Sequence, residues 1–266
     1  MTHVIITGGS SGIGLALAHL YAARGARISL LARTASVLEA AQTVLSKGRD
    51  TDTIRIESAD VADTDQTEAA IRRCEDAFGP CDILITCAGI VEPGLFETSS
   101  PEAFERQLQT NLFGSIHAVR AVYAGMKQRR SGRIMLVSSG AGLIGIYGYA
   151  AYSASKFALH GFAEALRSEA KPHGVKISVC FPHDTETPQF TRELEHRPLE
   201  AEVIMGRVAP WPPDAVASRI ARAIDKGDFE VFFGWTLWAL GRFGSTVKPF
   251  LNWWFDRAIL RLSRRP

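Results

Sequence analysis

Tyr152 stands four residues before Lys156 and thirteen after Ser139, and the three together could move a proton. One helical turn separates the phenol from the ammonium, so both project from the same helix face. A free tyrosine has a pKa of about 10 and is a slow proton donor near neutrality. A neighbouring ammonium favours the phenolate and would bring that pKa down toward the range of a working general acid. Ser139 closes the apolar run Arg133-Ile-Met-Leu-Val-Ser-Ser139, where a hydroxyl can hold a carbonyl oxygen. Such a set suits proton delivery to a ketone, or its removal from an alcohol. A helical Tyr and Lys at this spacing would, by themselves, be ordinary surface residues.

The amino terminus gives the pair a context. His3-Val-Ile-Ile-Thr7 reads as a short apolar strand, followed by Gly8-Gly-Ser-Ser-Gly12-Ile-Gly14 and a helical pattern from Leu15 to Ala23. Glycines 8, 12 and 14 allow a tight strand-to-helix turn whose backbone N–H groups can approach a pyrophosphate, assisted by the helix dipole. The spacing is G-x-x-x-G-x-G rather than G-x-G-x-x-G, but the strand–glycine–helix context favours a dinucleotide site over a simple turn. Cofactor choice should be decided after the second strand, where an acid would bind a ribose diol. This chain has Leu31-Ala32-Arg33-Thr34 there, with no carboxylate before Glu39. Arg33 offers a planar, permanently charged fork for phosphate oxygens, and Ser10 and Ser11 add hydroxyl donors. An arginine could instead solvate a helix start or stack on adenine. The reading favours NADPH and therefore a reductase.

Strand and helix patterns alternate along the chain. After the first strand come Arg27–Ala32, Thr53–Glu57, Asp82–Thr86, Arg133–Val137 and Lys176–Phe181, separated by helical patterns at Ser36–Leu45, Thr64–Phe78, Phe104–Lys127, Ser153–Lys171 and Asp214–Lys226. Short, nearly all-apolar strands between helices imply an α/β fold: a Rossmann-like, doubly wound parallel sheet. Ligands in such sheets bind beyond the carboxyl ends of the strands, where each of these motifs falls. Residues 1–228 are expected to form the catalytic, NADP-binding domain and residues 229–266 an apolar carboxyl-terminal extension.

On these motifs the chain resembles the short-chain dehydrogenase/reductase family over roughly its first 230 residues. The resemblance implies a cofactor loop at Thr7–Gly14 that includes Gly8, Ser10, Ser11, Gly12, Ile13 and Gly14. It places Asp60 and Val61 near the adenine. It matches Cys87-Ala88-Gly89 to the family's Asn-Asn-Ala-Gly turn, with Thr86 and Cys87 in place of both asparagines. It makes Asn111, in Thr110-Asn-Leu-Phe-Gly114, the support of a proton-relay water, and it adds a grip on the ribose hydroxyls to the role of Lys156. Thr187 falls where relatives place a threonine that contacts the nicotinamide carboxamide, five residues past Pro182, which also matches a cofactor-binding position. His183 takes the usual glycine position, so the local backbone is expected to differ.

A finer resemblance is to the 3-ketodihydrosphingosine (3-ketosphinganine) reductases. It rests on Gly132-Arg-Ile, Ala151-Tyr-Ser-Ala-Ser-Lys-Phe-Ala158, Ala163-Glu-Ala-Leu166, Lys171-Pro172 and, above all, Phe181-Pro-His-Asp-Thr-Glu-Thr-Pro188. It implies NADPH-dependent reduction of a long-chain amino-ketone lipid to the amino alcohol. Asp184 and Glu186 would then supply negative charge for the substrate amine; otherwise both face solvent. The core motifs also suit another bulky lipid ketone, such as a steroid or a 3-oxoacyl thioester. A non-catalytic dinucleotide-binding scaffold has no need of an activated phenol.

The composition excludes other classes. Thirty basic against 28 acidic side chains leave a net charge of +2, which gives no reason to expect a nucleic-acid partner. The four cysteines form no C-x-x-C pair and the seven histidines are scattered, so reduced thiols, a cytoplasmic location and no metal are expected. No secretory signal or anchor is read before the first strand. The tail differs from the rest. Trp235, Trp238, Trp253 and Trp254 lie among Phe232, Phe233, Phe243, Phe250 and Phe255. After Pro249 the positions Phe250/Leu251, Trp254/Phe255, Ala258/Ile259 and Leu262 recur at helical spacing, with Arg257, Arg261, Arg264 and Arg265 alongside. This pattern suits peripheral contact with the cytoplasmic face of a membrane, a subunit interface or a lid over an acyl chain. Related folds pair through their long helices, so a homo-oligomer is expected.

Overall fold

The computed structural model describes residues 1–47, 51–206 and 209–263. Its runs of branched aliphatic side chains form seven strands: β1 His3–Thr7, β2 Arg27–Ala32, β3 Ile54–Ser58, β4 Ile83–Thr86, β5 Gly132–Val137, β6 Val175–Phe181 and β7 Glu230–Phe232. All lie parallel in one sheet ordered β3-β2-β1-β4-β5-β6-β7. β1 and β4 are buried at every position, as a sheet covered on both faces requires. The covering helices are α1 Gly12–Ala23, α2 Ala35–Leu45, α3 Thr64–Phe78, α4 Pro101–Leu108, α5 Gly114–Arg129, α6 Ala150–Ala170, α7 Pro188–Leu194, α8 Leu199–Met205, α9 Pro213–Lys226 and α10 Trp235–Ser263. Strand order reverses between β1 and β4, which opens the crevice where such folds take their ligands. The fold is therefore the expected doubly wound α/β architecture.

Three features depart from the expected elements. The single helix expected over Phe104–Lys127 is α4 and α5 joined by a π-helical turn, Gln109–Phe113, which carries Asn111. Between β6 and α9 lie two short helices, α7 and α8, that no periodicity announced. The third is the segment after residue 228. β7 pairs with β6, and Phe233, Leu237 and Leu240 are buried, so the sheet and its core continue into the expected extension.

α10 begins well before Pro249, which lies inside it, and has one irregular residue at Phe243 (φ −125°). Its expected apolar stripe is divided. Val247, Leu251 and Phe255 pack against the core, whereas Phe250, Trp253 and Trp254 are exposed. Lys248 lies over the Phe157 ring of α6, 5.1 Å from its centroid. Arg257 sits 4.0 Å over Trp253; Arg264 and Arg265 lie outside the described residues. No helix among the described residues is long and apolar enough to cross a membrane.

Candidate active site

The β5 strand delivers Ser138 and Ser139 to the carboxyl edge of the sheet. Ser138 turns inward and donates to Lys156 O at 3.1 Å, anchoring α6 to the strand end. Gly142 makes this approach possible, since a Cβ there would stand 2.5 Å from Ser138 Oγ and 2.8 Å from Lys156 O. Ser139 faces the cleft. It accepts from Ala141 N at 3.2 Å, capping the turn Gly140–Gly142, and its hydroxyl acts to lower the pKa of the Tyr152 phenol.

α6 presents Tyr152 and Lys156 one turn apart, as the spacing implies. Lys156 is buried, its Nζ donates to Val137 O at 3.0 Å, and it lies 5.5 Å from the centroid of the Tyr152 ring. Burial lowers the amine's pKa to about 8. It also raises the Tyr152 pKa above the ordinary tyrosine value, reinforced by Glu193 and Asp184, while the Ser139 hydrogen bond acts the other way. The expected lowering of the phenol by Lys156 is therefore not what the protein shows: burial sets the direction, and the one lowering influence comes from Ser139. Desolvation opposes phenolate and ammonium alike.

Asn111 is fully buried at the π-helical turn. Its Nδ2 donates to Ile90 O (2.9 Å) and Ser155 Oγ (3.0 Å), and Ile90 N donates to its Oδ1 (2.7 Å). The side chain therefore ties the turn after β4 to α6. Gly89 sits between them, where a Cβ would be 3.2 Å from Asn111 Oδ1 and 3.6 Å from Lys156 Nζ.

The glycine turn packs on the same region. Gly8 has φ +67°, and a Cβ there would stand 2.6 Å from Ala88 N. A Cβ on Gly14 would run into Gly8 O. Cys87 N donates to Thr7 O at 3.0 Å, and burial pushes the Cys87 thiol up to about 12, so it stays protonated. Opposite Gly12 stands Thr187, whose methyl would lie 2.9 Å from a Cβ on that glycine. Thr187 also caps α7, accepting from Phe190 N at 3.1 Å.

These residues fit a dinucleotide. Side chains are missing where a backbone must be approached, Ser11 leads into α1 with no side-chain cap bond, and Val137 O is the hydrogen-bond acceptor of Lys156 among the described residues. Arg33 is exposed just beyond β2. Asp60 takes Ala62 N at 3.0 Å, and Val61 is buried where a Cβ on Gly114 would meet its side chain at 2.6 Å; both stand at the carboxyl edge near β3.

A family model described as short chain dehydrogenase matches residues 2–198. The chain belongs to the short-chain dehydrogenase family. It is 42% identical over 235 residues to a 3-ketodihydrosphingosine reductase of Bos taurus, covering 87% of this chain and 71% of the relative. It is equally identical, with the same coverage, to a 3-dehydrosphinganine reductase of Danio rerio. A 3-ketodihydrosphingosine reductase of Dictyostelium discoideum is 33% identical over 98% of this chain and 83% of the relative. Among solved structures, levodione reductase superposes with a TM-score of 0.80 at 25% identity, covering 87% of this chain and 95% of the other. An actinorhodin polyketide ketoreductase solved with NADPH gives 0.80 at 27% identity, covering 91% and 97%.

In this short-chain dehydrogenase one cleft, open to solvent, gathers Ile13, Cys87, Gly89, Ser139, Tyr152, Lys156, Pro182, Asp184 and Thr187. His183 also lines it. Its φ is not positive, since among the described residues Arg130 is the one non-glycine with positive φ. The expectation for Glu186 is corrected. Thr185 bridges to Trp211, Glu186 N donates to Trp211 O at 3.0 Å, and the Glu186 side chain is left exposed outside the cleft. Two ionisable cleft residues escaped the sequence reading: Tyr149, on the turn into α6, and Glu193, on α7. Both bond Arg197, just after α7.

Proposed function

We propose that this chain reduces 3-ketodihydrosphingosine to dihydrosphingosine, with NADPH as the reductant. The observation that carries the reading is the convergence of Ser139, Tyr152 and Lys156 in a cleft that backs onto the glycine turn. The identities to reductases of that name support the substrate, and the NADPH-bound ketoreductase supports the cofactor. When bound, NADPH supplies the hydride that the ketone carbon accepts. Gly8, Ser10, Ser11, Gly12, Ile13 and Gly14 hold its diphosphate, Arg33 its 2′-phosphate, and Asp60 and Val61 its adenine end. Cys87, Ala88, Gly89, Pro182 and Thr187 hold the nicotinamide half, and Lys156 the adjoining ribose.

Ser139 positions the carbonyl oxygen and Tyr152 gives it the phenolic proton. Burial keeps that phenol neutral, which is the form an acid needs before it donates. The phenolate left behind is favoured by the Ser139 hydrogen bond and by the nearby ammonium. With a pKa of about 8, Lys156 is still mostly charged at pH 7 and can return the proton, with Asn111 ordering the path behind it.

The extension adds a surface. Phe250, Trp253 and Trp254 face outward from α10 with Arg257 beside them, a pattern that suits the interface of the bilayer in which the substrate dissolves. Self-association would use α5 and α6, where Phe157 of α6 and Phe113 at the end of the π-helical turn leading into α5 are exposed. The direct test is NADPH oxidation by the purified chain with 3-ketodihydrosphingosine, a steroid ketone and a 3-oxoacyl thioester. Turnover is expected to be at least ten-fold faster on the amino ketone. Comparable or faster turnover on either of the others would remove the substrate assignment.

A further inference from the structure

We infer that Glu193 and Asp184, held by the single guanidinium of Arg197, form the recognition site for the ammonium group of the substrate, an assignment that rests on the reductase reading above. Arg197 is almost fully buried, with 5% of its side chain exposed. Its Nη2 lies 2.6 Å from Glu193 Oε1 and its Nη1 3.0 Å from Asp184 Oδ2. Its Nε donates to the Tyr149 hydroxyl at 3.2 Å, which in turn donates to Glu193 Oε1 at 2.7 Å. One cation therefore serves two carboxylates, and this wall of the cleft keeps one negative charge in excess. Each acid gives Arg197 one oxygen. Among the described residues the other two, Glu193 Oε2 and Asp184 Oδ1, have no hydrogen-bond partner.

A clip that merely fastened α7 would need one acid, and Glu193 already pairs with Arg197 at i,i+4. A second carboxylate at the cleft adds desolvation cost with no counter-charge. Burial already raises the Glu193 pKa, the sign of a carboxylate short of solvent. A ligand ammonium would neutralise the excess, and the position suits one. In the proposed substrate the amine is on the carbon next to the ketone, so it must lie within a few bond lengths of the oxygen that Ser139 and Tyr152 hold. The Tyr149 ring stands edge-on to Tyr152, 6.3 Å between centroids, with its hydroxyl on Glu193. The carboxylate is thus one aromatic ring away from the proton donor. Lys156 and His183 also line the cleft; Lys156 is tied to Val137 O, and burial lowers the His183 pKa, so neither supplies the missing charge to this wall.

The test compares kcat/KM for 3-ketodihydrosphingosine and for the ketone of the same chain without the amine, in wild type, Asp184→Asn and Glu193→Gln. Wild type should prefer the amino ketone, and each variant should lose at least ten-fold of that preference, the scale of a charge-assisted contact. A preference unchanged in both variants, or equal losses on both ketones, would overturn the inference and leave the reductase reading standing. A wild type that turned over the two ketones equally would do the same, whereas one that reduced neither would overturn both. If Glu193→Gln fails to fold, Asp184→Asn at the more open end of the cluster decides the matter alone.

Discussion

Burial pushes Tyr152 and Lys156 toward their neutral forms, and the proposed chemistry uses that balance. The residues of this core were legible because their spacing is local: Tyr152 to Lys156 is one turn, and Gly8 to Gly14 is one loop. Their electrostatics were not, because desolvation depends on what covers a residue and spacing carries no record of it. Tyr149, Glu193 and Arg197 were missed for a related reason. Glu193 and Arg197 are neighbours in sequence, but Tyr149 and Asp184 come from other segments, and the group acquires meaning only when Arg197 brings two acids together. The buried ammonium carries a stability cost. In the fold Lys156 has a pKa of about 8, against the ordinary 10.5. Between those values the unfolded chain binds a proton that the fold does not, so stability should rise with pH across roughly 8 to 10.5. Below pH 8 both states hold the charge and the full cost of burying it remains. Lys156→Met should therefore raise stability at pH 7 by roughly 1–3 kcal/mol, flatten the rise at high pH and abolish turnover. Unfolding curves at pH 7 and pH 10 check this; a variant less stable than wild type at pH 7 would contradict it.

Strands and long helices followed from alternation of apolar runs, and their observed bounds lie within a few residues of the expected ones. The elements that escaped are short or hidden. β7 spans three residues, α7 and α8 seven each, and the π-helical turn interrupts no hydrophobic pattern. These pieces nevertheless shape the site, since α7 carries Glu193 and the π-helical turn carries Asn111. β7 also seats α10. Phe232 stacks on Phe181 with centroids 5.3 Å apart, Arg242 of α10 reaches Glu230 at 2.8 Å, and a Cβ on Gly241 would run into the Phe232 ring. Gly241→Ala should therefore destabilise the protein by about 1–3 kcal/mol through overpacking. Gly161→Ala is the contrast. It lies on α6 with open space around the added methyl, and it should stabilise by up to about 1 kcal/mol through helix propensity. Denaturant midpoints of the two variants should move in opposite directions; a shift the same way in both would refute the packing argument.

At the scale of the whole molecule, the doubly wound sheet places every motif at one carboxyl edge, which is why fold and site could be read together. The tail was expected to carry one apolar stripe. Its apolar residues divide between a face that completes the core and a face that is exposed, and a helical repeat alone cannot tell the two apart. If the exposed face binds bilayers, removing the chain after Pro249 should abolish co-sedimentation with anionic liposomes; undiminished binding would count against that role. The central claim is that a phenol on α6 and a dinucleotide on the β1–α1 turn meet at one carbonyl. It is tested most directly by Tyr152→Phe, measuring both kcat with 3-ketodihydrosphingosine and the Kd for NADPH. The account predicts a fall in kcat of roughly 10²–10⁴-fold with NADPH binding changed by no more than a few-fold. Wild-type turnover in that variant would contradict it.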